Sequence, residues 1–482
     1  MKYYYFIGIL GSGMSGLARI QHEMGNTVGG SDRNIAVPIY DEFKKLGIKI
    51  YQQDGNGIRE FAAETGADIK DIVIVKSTAI EDTVPDIVAA RKNKLAELHR
   101  SDLLAEMFNE KNGIAVGGTA GKTSVSTMTS YALSALGISP SFVIGGISRN
   151  FNASSHFGAS DYFVIESDES DGTIIKYKPQ VAVLTNISKE HKELPELLDI
   201  FTTFISNIKP RGKAILNISC PNVVNLLKNI ETKKMPVAIK TVNFEDSSNY
   251  SAIKADYLVT DIEVRPYGSR FKINGHSFET GLIGRHNVEN IVLSAITAIE
   301  LGSAVTKVAE AFKGYLGVAR RLEIVGRHND TIIIDDYAHN PHEIECAIKA
   351  VKVFEQPVIA VYQPHGFGPT SFTRNELSLA FHSMGPDDAV FLSEVYYGGG
   401  TVNRNVSSVE IVDEIKAKYG YTNAFFSPDL NDITEKISNF ILNNPEKQYI
   451  VLVMGARNIN TICPEILNRI SVLKKNKIMR DK

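Results

Sequence analysis

The sequence predicts an α/β protein with three domains, at residues 1–108, 109–318 and 319–482. A chain of 482 residues is too long for one hydrophobic core, and a prior of one domain per ~150 residues gives about three. Strand patterns alternate with helix patterns in each segment, as in parallel sheets covered by helices. Glycine or polar residues follow many of the strands, where the ligand-binding edge of such a sheet is expected.

The composition excludes several classes of protein. Hydrophobic residues make up 43% of the chain, charged residues 22%, and the formal net charge is -3, so we expect a globular protein that does not bind nucleic acid. Cys220, Cys346 and Cys463 lie far apart and predict neither a disulfide framework nor a zinc site. The sequence contains no stretch of ~18 apolar residues, which predicts a cytoplasmic protein without a membrane partner.

The first segment begins with a strand pattern, Tyr3 to Ile9, followed by a glycine-rich run and a helix pattern from Leu17 to Met24. The run has the spacing G-x-G-x-x-G, in which glycines let a diphosphate approach the backbone at a helix N-terminus. This pattern predicts a Rossmann-like domain. The residues expected at the diphosphate are Gly11, Ser12, Gly13, Met14 and Ser15.

A carboxylate and two hydroxyls extend this candidate site. Asp32 follows the next short strand and would lie near a ribose. Ser77 and Thr78 follow a strand at Asp71 to Val75 and either contact the same ligand or form an ordinary loop. Both NAD and a UDP-linked compound satisfy this chemistry.

The second segment contains a phosphate-binding loop between a strand ending at Val116 and a helix from Ser124 to Leu136. Successive backbone N–H groups of such a loop can surround a phosphate, a lysine reaches the β- and γ-phosphates, and a Thr hydroxyl binds Mg²⁺. A plain surface turn is the alternative. The loop residues predicted to bind the phosphates are Gly118, Thr119, Ala120, Gly121, Lys122, Thr123 and Ser124.

Two later stretches of this segment carry candidate metal ligands. The strand from Tyr162 ends in an acidic run, Glu166 to Asp171, whose mutual repulsion a cation would relieve. Glu166 is the best single candidate, and a solvated acidic loop is the alternative. A further strand, Val181 to Leu184, leads to His191, which is either a ligand at the same edge or structural.

The end of the second segment changes character. Short alternating runs between Ala252 and Phe278 predict a small antiparallel β portion. A helix pattern then opens with Asn287 and Asn290, which share one helix face and could both bind a purine edge. Helix capping by one asparagine is the alternative.

The third segment again predicts a parallel sheet. A strand at Thr331 to Ile334 ends in Asp335, Asp336 and then His339, and a strand at Val358 to Tyr362 ends in Gln363-Pro-His-Gly366. Polar groups therefore collect at one edge of this sheet as well. A Rossmann-like C-terminal domain is expected.

Six motifs in this order resemble the Mur ligase family, ATP-dependent amide-forming enzymes of peptidoglycan assembly, over nearly the whole chain. The motifs are Gly11 to Gly16, Gly118 to Thr123, Glu166 to Asp171, Thr185-Asn186 with His191, Gly284 to Asn290, and Asp335 to Pro341. The resemblance implies an N-terminal domain for a UDP sugar, a central ATPase domain, and a C-terminal domain that receives an amine and closes over the site. It implies ATP and Mg²⁺ as cofactors. We expect either a monomer or a homodimer.

The resemblance also implies roles for single residues. Lys122 and Thr123 would hold the phosphates and one Mg²⁺, and Glu166 and His191 a second Mg²⁺. Asn287 and Asn290 would bind adenine, Asp336 the ATP ribose, and Arg321 the phosphates upon closure. His339 is a candidate proton acceptor or positioning group.

The implied reaction joins an amino acid to the lactyl carboxylate of UDP-N-acetylmuramate through an acyl phosphate. L-Alanine is the first expectation for the amine, and the peptide L-Ala-γ-D-Glu-meso-diaminopimelate is the alternative. The family's L-alanine branch typically carries a His-Arg pair with a further basic residue after Gln-Pro, whereas this chain has His365-Gly366. The arginine expected to hold the carboxylate of the amine is lacking, so the amine stays open. Ala120 and Asn340 stand where the family usually has histidine.

Two functions of other classes remain as alternatives. An NAD-dependent oxidoreductase would use Gly11 to Gly16 and Asp32 but leave Lys122 and the acidic run unused. A nucleotide-binding regulator would fit if the departures at Ala120 and Gly366 mark lost activity.

Overall fold

The computed structural model describes residues 1–170, 172–189, 192–248, 254–397 and 404–480. The described chain has three sheets with helices packed between and around their strands, so the predicted α/β class with parallel sheets is confirmed. Two compact units are distinguished: Met1–Asp261 with Lys272–Phe278 and Asn290–Tyr315, and Ile262–Phe271 with Glu279–Glu289 and Leu316–Lys482. The division into domains at 108 and 318 stays a prediction.

The first sheet has five parallel strands in the order β3-β2-β1-β4-β5, the arrangement predicted for a Rossmann-like domain. Its strands are β1 (Tyr3–Ile7), β2 (Thr27–Asp32), β3 (Lys49–Gln52), β4 (Ile72–Lys76) and β5 (Ala96–His99). Its helices are α1 (Ser12–Glu23), α2 (Pro38–Leu46), α3 (Gly57–Thr65), α4 (Pro85–Lys92) and α5 (Arg100–Asn109). Helix α1 begins five residues before the predicted Leu17, because the glycine-rich run itself forms the first helical turns.

The second sheet has ten strands in the order β15-β14-β13-β12-β11-β10-β6-β9-β7-β8. Its strands are β6 (Asn112–Gly117), β7 (Ser141–Ser148), β8 (Ala153–His156), β9 (Tyr162–Glu166), β10 (Val181–Leu184), β11 (Lys213–Asn217), β12 (Ala238–Phe244), β13 (Tyr257–Arg265), β14 (Gly268–Ile273) and β15 (His276–Thr280). Strands β13, β14 and β15 are neighbours joined by two-residue links, which only antiparallel neighbours allow. Its helices are α6 (Lys122–Ala135), α7 (Leu194–Ser206), α8 (Pro221–Thr232), α9 (Arg285–Glu300) and α10 (Val305–Phe312).

The third sheet has six strands in the order β16-β17-β21-β18-β19-β20, parallel except for the β16–β17 pair. Its strands are β16 (Glu323–His328), β17 (Thr331–Asp336), β18 (Val358–Tyr362), β19 (Ala389–Ser393), β20 (Ala424–Ser427) and β21 (Ile450–Met454). Its helices are α11 (Pro341–Val351), α12 (Phe367–Phe372), α13 (Arg374–Ala380), α14 (Ser408–Tyr419), α15 (Leu430–Leu442) and α16 (Ile462–Arg480).

The central strands of the third sheet are continuous runs of buried apolar residues, as expected for a sheet covered on both faces. Their polar residues therefore appear just beyond the strand ends, where the candidate site residues lie. Across the described ranges, no helix combines the length and the apolar character needed to cross a bilayer.

Candidate active site

The predicted phosphate loop connects the end of β6, at Gly117, to the start of α6, at Lys122. Gly118 and Gly121 have φ values of +130° and +86°, which side-chain-bearing residues rarely adopt. Space is equally restricted, because a Cβ on Gly118 would lie 2.1 Å from Thr185 Oγ1 and one on Gly121 would lie 2.7 Å from Asn290 Oδ1. Both glycines are therefore required by the shape of the loop.

Residues at the end of β10 hold this loop in place. Asn186 accepts from Ala120 N through Oδ1 and donates to Ala120 O through Nδ2, both at 3.0 Å, and its backbone oxygen accepts from Thr119 N at 3.0 Å. Thr185 Oγ1 donates to Ala120 O at 2.7 Å. These bonds use the backbone of Ala120, so they do not involve the side chain at this position.

Lys122 lies close to the acidic run that follows β9. Its Nζ is 2.9 Å from Glu169 Oε2 and 3.9 Å from Asp168 Oδ1, and it donates to Thr119 O at 3.2 Å. Burial disfavours the charged lysine, but Glu169, Asp168 and Glu166 outweigh it and raise the pKa of Lys122. The lysine is therefore a fixed positive charge at the loop.

Glu169, the main partner of Lys122, is only 2% exposed, and burial raises the pKa of its carboxyl. The acidic run indicated a cation near this strand end, but its spacing alone favoured Glu166. The structure adds Glu169 as the group that orients the lysine.

The hydroxyl of Thr123 donates to Glu166 Oε2 at 2.8 Å, so the two predicted Mg²⁺ ligands of this region are in contact. Gly145 N also donates to Glu166 Oε2 at 2.8 Å. A Cβ on Gly145 would lie 2.3 Å from that oxygen and 3.0 Å from Thr123 Oγ1. Gly145 was missed by sequence reasoning, although the Gly145-Gly146 pair inside a β-rich run indicates a close backbone approach.

Thr123 Oγ1 and Glu166 Oε2 suit Mg²⁺, which prefers a few protein oxygens together with phosphate and water ligands. His191, the third predicted ligand, lies outside the described residues, as do Glu190 and Asp171. Within the described ranges, no group of three His, Cys, Asp or Glu side chains is arranged to hold a metal ion.

The two asparagines of α9 have different surroundings. Asn290 lies against Gly121 at the start of α6, and Ser294 one turn later donates to Val125 O at 3.1 Å, which fixes this part of α9 against α6. Asn287 is buried and donates through Nδ2 to Ile283 O at 2.9 Å, whereas a helix-capping side chain would accept from a backbone N–H. Adenine binding by the pair stays a prediction.

In the first sheet, Asp32 shapes the loop that precedes α1. Its Oδ2 accepts from Leu10 N at 2.9 Å and its Oδ1 accepts from Asn34 N at 3.1 Å. Gly8 N and Ile9 N donate to the neighbouring Ser31 O at 2.8 and 3.0 Å. Asp32 therefore positions the loop, and its predicted contact with a ribose stays a prediction.

The other residues predicted to bind the UDP sugar lie in the glycine-rich run and after β4. Met14 and Ser15 are buried, and Met14 packs in the hydrophobic core rather than facing solvent. Ser77 and Thr78 form a turn in which Ile80 N donates to Ser77 O at 3.1 Å.

A Cβ on Gly13 would lie 3.2 Å from Arg100 Nη1, which places a guanidinium at the N-terminus of α1. The sequence pattern did not indicate Arg100.

In the second unit, Asp336 is buried at the end of β17. Its carboxylate accepts from Leu322 N and Ala338 N, each at 2.7 Å. Burial raises the pKa of Asp336 to about 6, although Arg321 and these N–H groups favour the anion. The predicted contact of Asp336 with the ATP ribose stays a prediction.

Arg321 and His339 share one carboxylate, Glu343 on α11. His339 Nδ1 is 3.0 Å from Glu343 Oε2, and Arg321 Nη1 is 3.8 Å from Oε1. Burial would raise the pKa of Glu343, but His339 and Arg321 lower it to about 2. Asn340 caps the N-terminus of α11, because its Oδ1 accepts from Glu343 N at 2.9 Å. A helix cap thus occupies the position where the family usually has histidine.

A glycine-rich loop at a helix N-terminus, with a fixed lysine and a Thr–Glu pair beside it, defines a nucleoside-triphosphate-binding α/β protein. Comparison with known proteins makes this more specific. Three sequence models match the chain: the Mur ligase family catalytic domain at residues 3–112, the Mur ligase middle domain at 116–298, and the Mur ligase glutamate ligase domain at 320–457. The chain belongs to the Mur ligase family.

Individual relatives match almost the whole chain. UDP-N-acetylmuramate–L-alanine ligase of Sinorhizobium fredii is 33% identical over 88% of both chains. The enzyme of the same name from Dictyoglomus turgidum is 31% identical over 97% of both.

Solved structures show the same fold. UDP-N-acetylmuramate-alanine ligase MurC of Thermotoga maritima matches with a TM-score of 0.77 at 24% identity, covering 98% of this chain and 100% of that one. A murein peptide ligase of Psychrobacter arcticus matches with a TM-score of 0.67 at 22% identity, covering 98% and 99%.

Proposed function

We propose that this protein is an ATP-dependent ligase that joins L-alanine to the lactyl carboxylate of UDP-N-acetylmuramate. The observation that carries the proposal is the cluster of Lys122, Thr123 and Glu166 around the phosphate loop. The near-full-length similarity to UDP-N-acetylmuramate–L-alanine ligases supports the choice of substrates.

The chemistry follows from charge. A carboxylate oxygen attacks the γ-phosphorus of ATP and ADP leaves, so two anions must approach each other. Lys122 provides a fixed positive charge for this step, and Mg²⁺ at Thr123 and Glu166 would add further positive charge when bound. The product is an acyl phosphate.

The neutral amine then attacks the acyl carbonyl, phosphate leaves, and the amine loses a proton as the amide forms. His339 is our candidate acceptor for that proton, with Glu343 holding its Nδ1 side at 3.0 Å. Water must be kept from the acyl phosphate, since it would otherwise hydrolyse. Roles for Asn287, Asn290, Asp336 and Arg321 at ATP belong to the same proposal.

The test is amine-dependent release of phosphate from ATP in the presence of Mg²⁺ and UDP-N-acetylmuramate. L-Alanine, other amino acids and L-Ala-γ-D-Glu-meso-diaminopimelate are offered separately. We expect release with L-alanine, loss of release in Lys122→Ala, and normal release in Lys228→Ala, an exposed lysine on α8.

Other outcomes point to other functions. Release with the tripeptide alone would identify a peptide-joining ligase; the Psychrobacter arcticus protein of the same fold is named a murein peptide ligase. Absence of release with every amine would favour a nucleotide-binding regulator. Nicotinamide binding without ATP turnover would favour an oxidoreductase.

A further inference from the structure

Three neighbouring parallel strands of the third sheet bring one arginine, one histidine and one tyrosine together beyond their carboxyl ends. Strand β18 lies between β21 and β19. His365 follows β18, Arg457 follows β21 and Tyr396 follows β19. His365 and Tyr396 form a parallel bridge, and their rings stack with centroids 5.8 Å apart. The cluster is therefore built from the carboxyl edge of the sheet, where ligands of such folds bind.

The backbone of Arg457 is held firmly by a second arginine. Arg320 donates through Nη1 to Arg457 O at 2.9 Å and through Nη2 to Gly455 O at 2.5 Å. Arg320 is itself paired with Asp335, at 3.2 Å between Nε and Oδ2. The strand end that carries Arg457 is thus fixed in position.

The side chain of Arg457 is fixed at one edge only. Its Nε donates to His365 Nε2 at 2.9 Å, and its guanidinium carbon lies 5.8 Å from the centre of the Tyr396 ring. Within the described ranges, Nη1 and Nη2 have no hydrogen-bond or ion-pair partner, and the residue is exposed. A guanidinium held in this way presents its Nη pair as a fork, the geometry that binds a carboxylate with two parallel hydrogen bonds.

His365 suits the role of holding that fork. Burial and the nearby charge of Arg457 lower the pKa of His365, so its imidazole is neutral at pH 7. A neutral imidazole that accepts at Nε2 carries its proton on Nδ1. His365 therefore orients the arginine without repelling it.

Arg457 also supplies a charge that the neighbouring strand end lacks. Position 366, where the L-alanine branch of the family has arginine, is glycine here, and its φ of +78° disfavours a side chain. The cation beside His365 comes instead from the end of β21.

We propose that Arg457 binds the α-carboxylate of the incoming amino acid and that His365 is its positioning residue. The proposal rests on the ligase function proposed above. It assigns the amine to the class of free amino acids, because the first residue of a tripeptide carries an uncharged amide where a free amino acid carries a carboxylate.

The experiment compares an amino acid with its carboxamide, L-alanine with L-alaninamide, at saturating ATP and UDP-N-acetylmuramate. The unaltered protein should have a higher kcat/KM for L-alanine than for L-alaninamide. Arg457→Ala should raise KM for the acid roughly 10- to 100-fold, the range for loss of hydrogen bonds to a charged group, and bring the acid-to-amide ratio of kcat/KM toward one. KM for ATP and for UDP-N-acetylmuramate should not change.

Further variants separate binding from folding. Arg457→Lys should give an intermediate ratio, since lysine is a single point charge. His365→Gln keeps an acceptor for Nε and should retain more of the preference than His365→Ala. Arg469→Ala, which removes an exposed arginine of α16, is the matched control.

The outcomes distinguish the two proposals. If the unaltered protein uses no amine, the ligase function is wrong. If it uses L-alanine but does not prefer the acid, or if well-folded Arg457→Ala keeps the preference, the assignment of Arg457 alone is wrong.

Discussion

Thr123 Oγ1 and Glu166 Oε2 lie 2.8 Å apart, although 43 residues separate them along the chain. The register of the second sheet explains the contact, because β6 pairs with β9 so that Val116 faces Glu166. A hydroxyl at the start of α6 and a carboxylate at the end of β9 therefore meet at one sheet edge, beside the phosphate loop.

The first prediction concerns this pair. Glu166→Gln keeps the size of the side chain but removes its charge. It should lower the affinity for Mg²⁺ by roughly 10- to 100-fold, as changes around metal ligands do. Phosphate release titrated with Mg²⁺ measures the effect. Glu110→Gln, at an exposed glutamate after α5, should leave the Mg²⁺ dependence as it is. An unchanged titration curve for Glu166→Gln would remove Glu166 from the metal site.

The second prediction tests the close approach at Gly145. The Cβ of Gly145→Ala would overlap Glu166 Oε2, so the carboxylate must move away from Thr123. A displacement of about 1 Å in a catalytic group can cost roughly 100-fold in rate, and we expect a loss of that order in kcat. Steady-state kinetics and thermal unfolding should be measured together.

Gly281→Ala is the control for this prediction, because its Cβ meets nothing within 4 Å. It should leave kcat unchanged. Full activity in Gly145→Ala would mean that Glu166 can move without consequence.

These residues also show what the sequence can and cannot predict. The phosphate loop and the acidic strand end were predictable, because strand, glycine turn and helix follow each other directly along the chain. Gly145, Asn186 and Glu343 act through contacts that only the folded sheets create. Their sequence signals, a glycine pair, a Thr-Asn pair and one glutamate in a helix, are common in proteins without such roles.

Some limits of the helices and strands could also be predicted from the sequence, and others could not. Strands β10 and β18 have the predicted limits, because continuous apolar runs mark both ends. Helix α1 begins earlier than predicted, since four of its first five residues are glycine or serine, which a helix pattern based on apolar spacing does not include. Its start depends on the loop geometry that Asp32 and Ser31 impose.

The third prediction concerns Arg100, whose guanidinium lies at Gly13 on the first turns of α1. A cation at this position suits the diphosphate that we propose for the UDP sugar. Arg100→Ala should raise KM for UDP-N-acetylmuramate by about 10- to 100-fold, in line with loss of hydrogen bonds to a charged group, and leave KM for ATP unchanged. Arg59→Ala, at an exposed arginine of α3, is the control. Equal effects on both substrates would contradict a specific role.

The fourth prediction uses the ion pair cluster around Glu343. Its pKa in the folded protein, about 2, is below the ordinary value, so the ionised carboxylate stabilises the fold at neutral pH. A difference of this size corresponds to roughly 3 kcal/mol in the free energy of unfolding. That contribution is complete above the ordinary pKa of about 4.3 and is lost as the pH falls toward about 2, with roughly half remaining at pH 3.

Urea unfolding of the parent protein and of Glu343→Gln, compared from pH 7 to pH 3, measures this contribution. The variant should be less stable at pH 7, and the difference should shrink as the pH falls, because protonation makes the parent side chain neutral as well. Glu376→Gln, at an exposed glutamate of α13, should show no such trend. A stability difference that stays constant over this range would mean that His339 and Arg321 do not hold Glu343 in its ionised form.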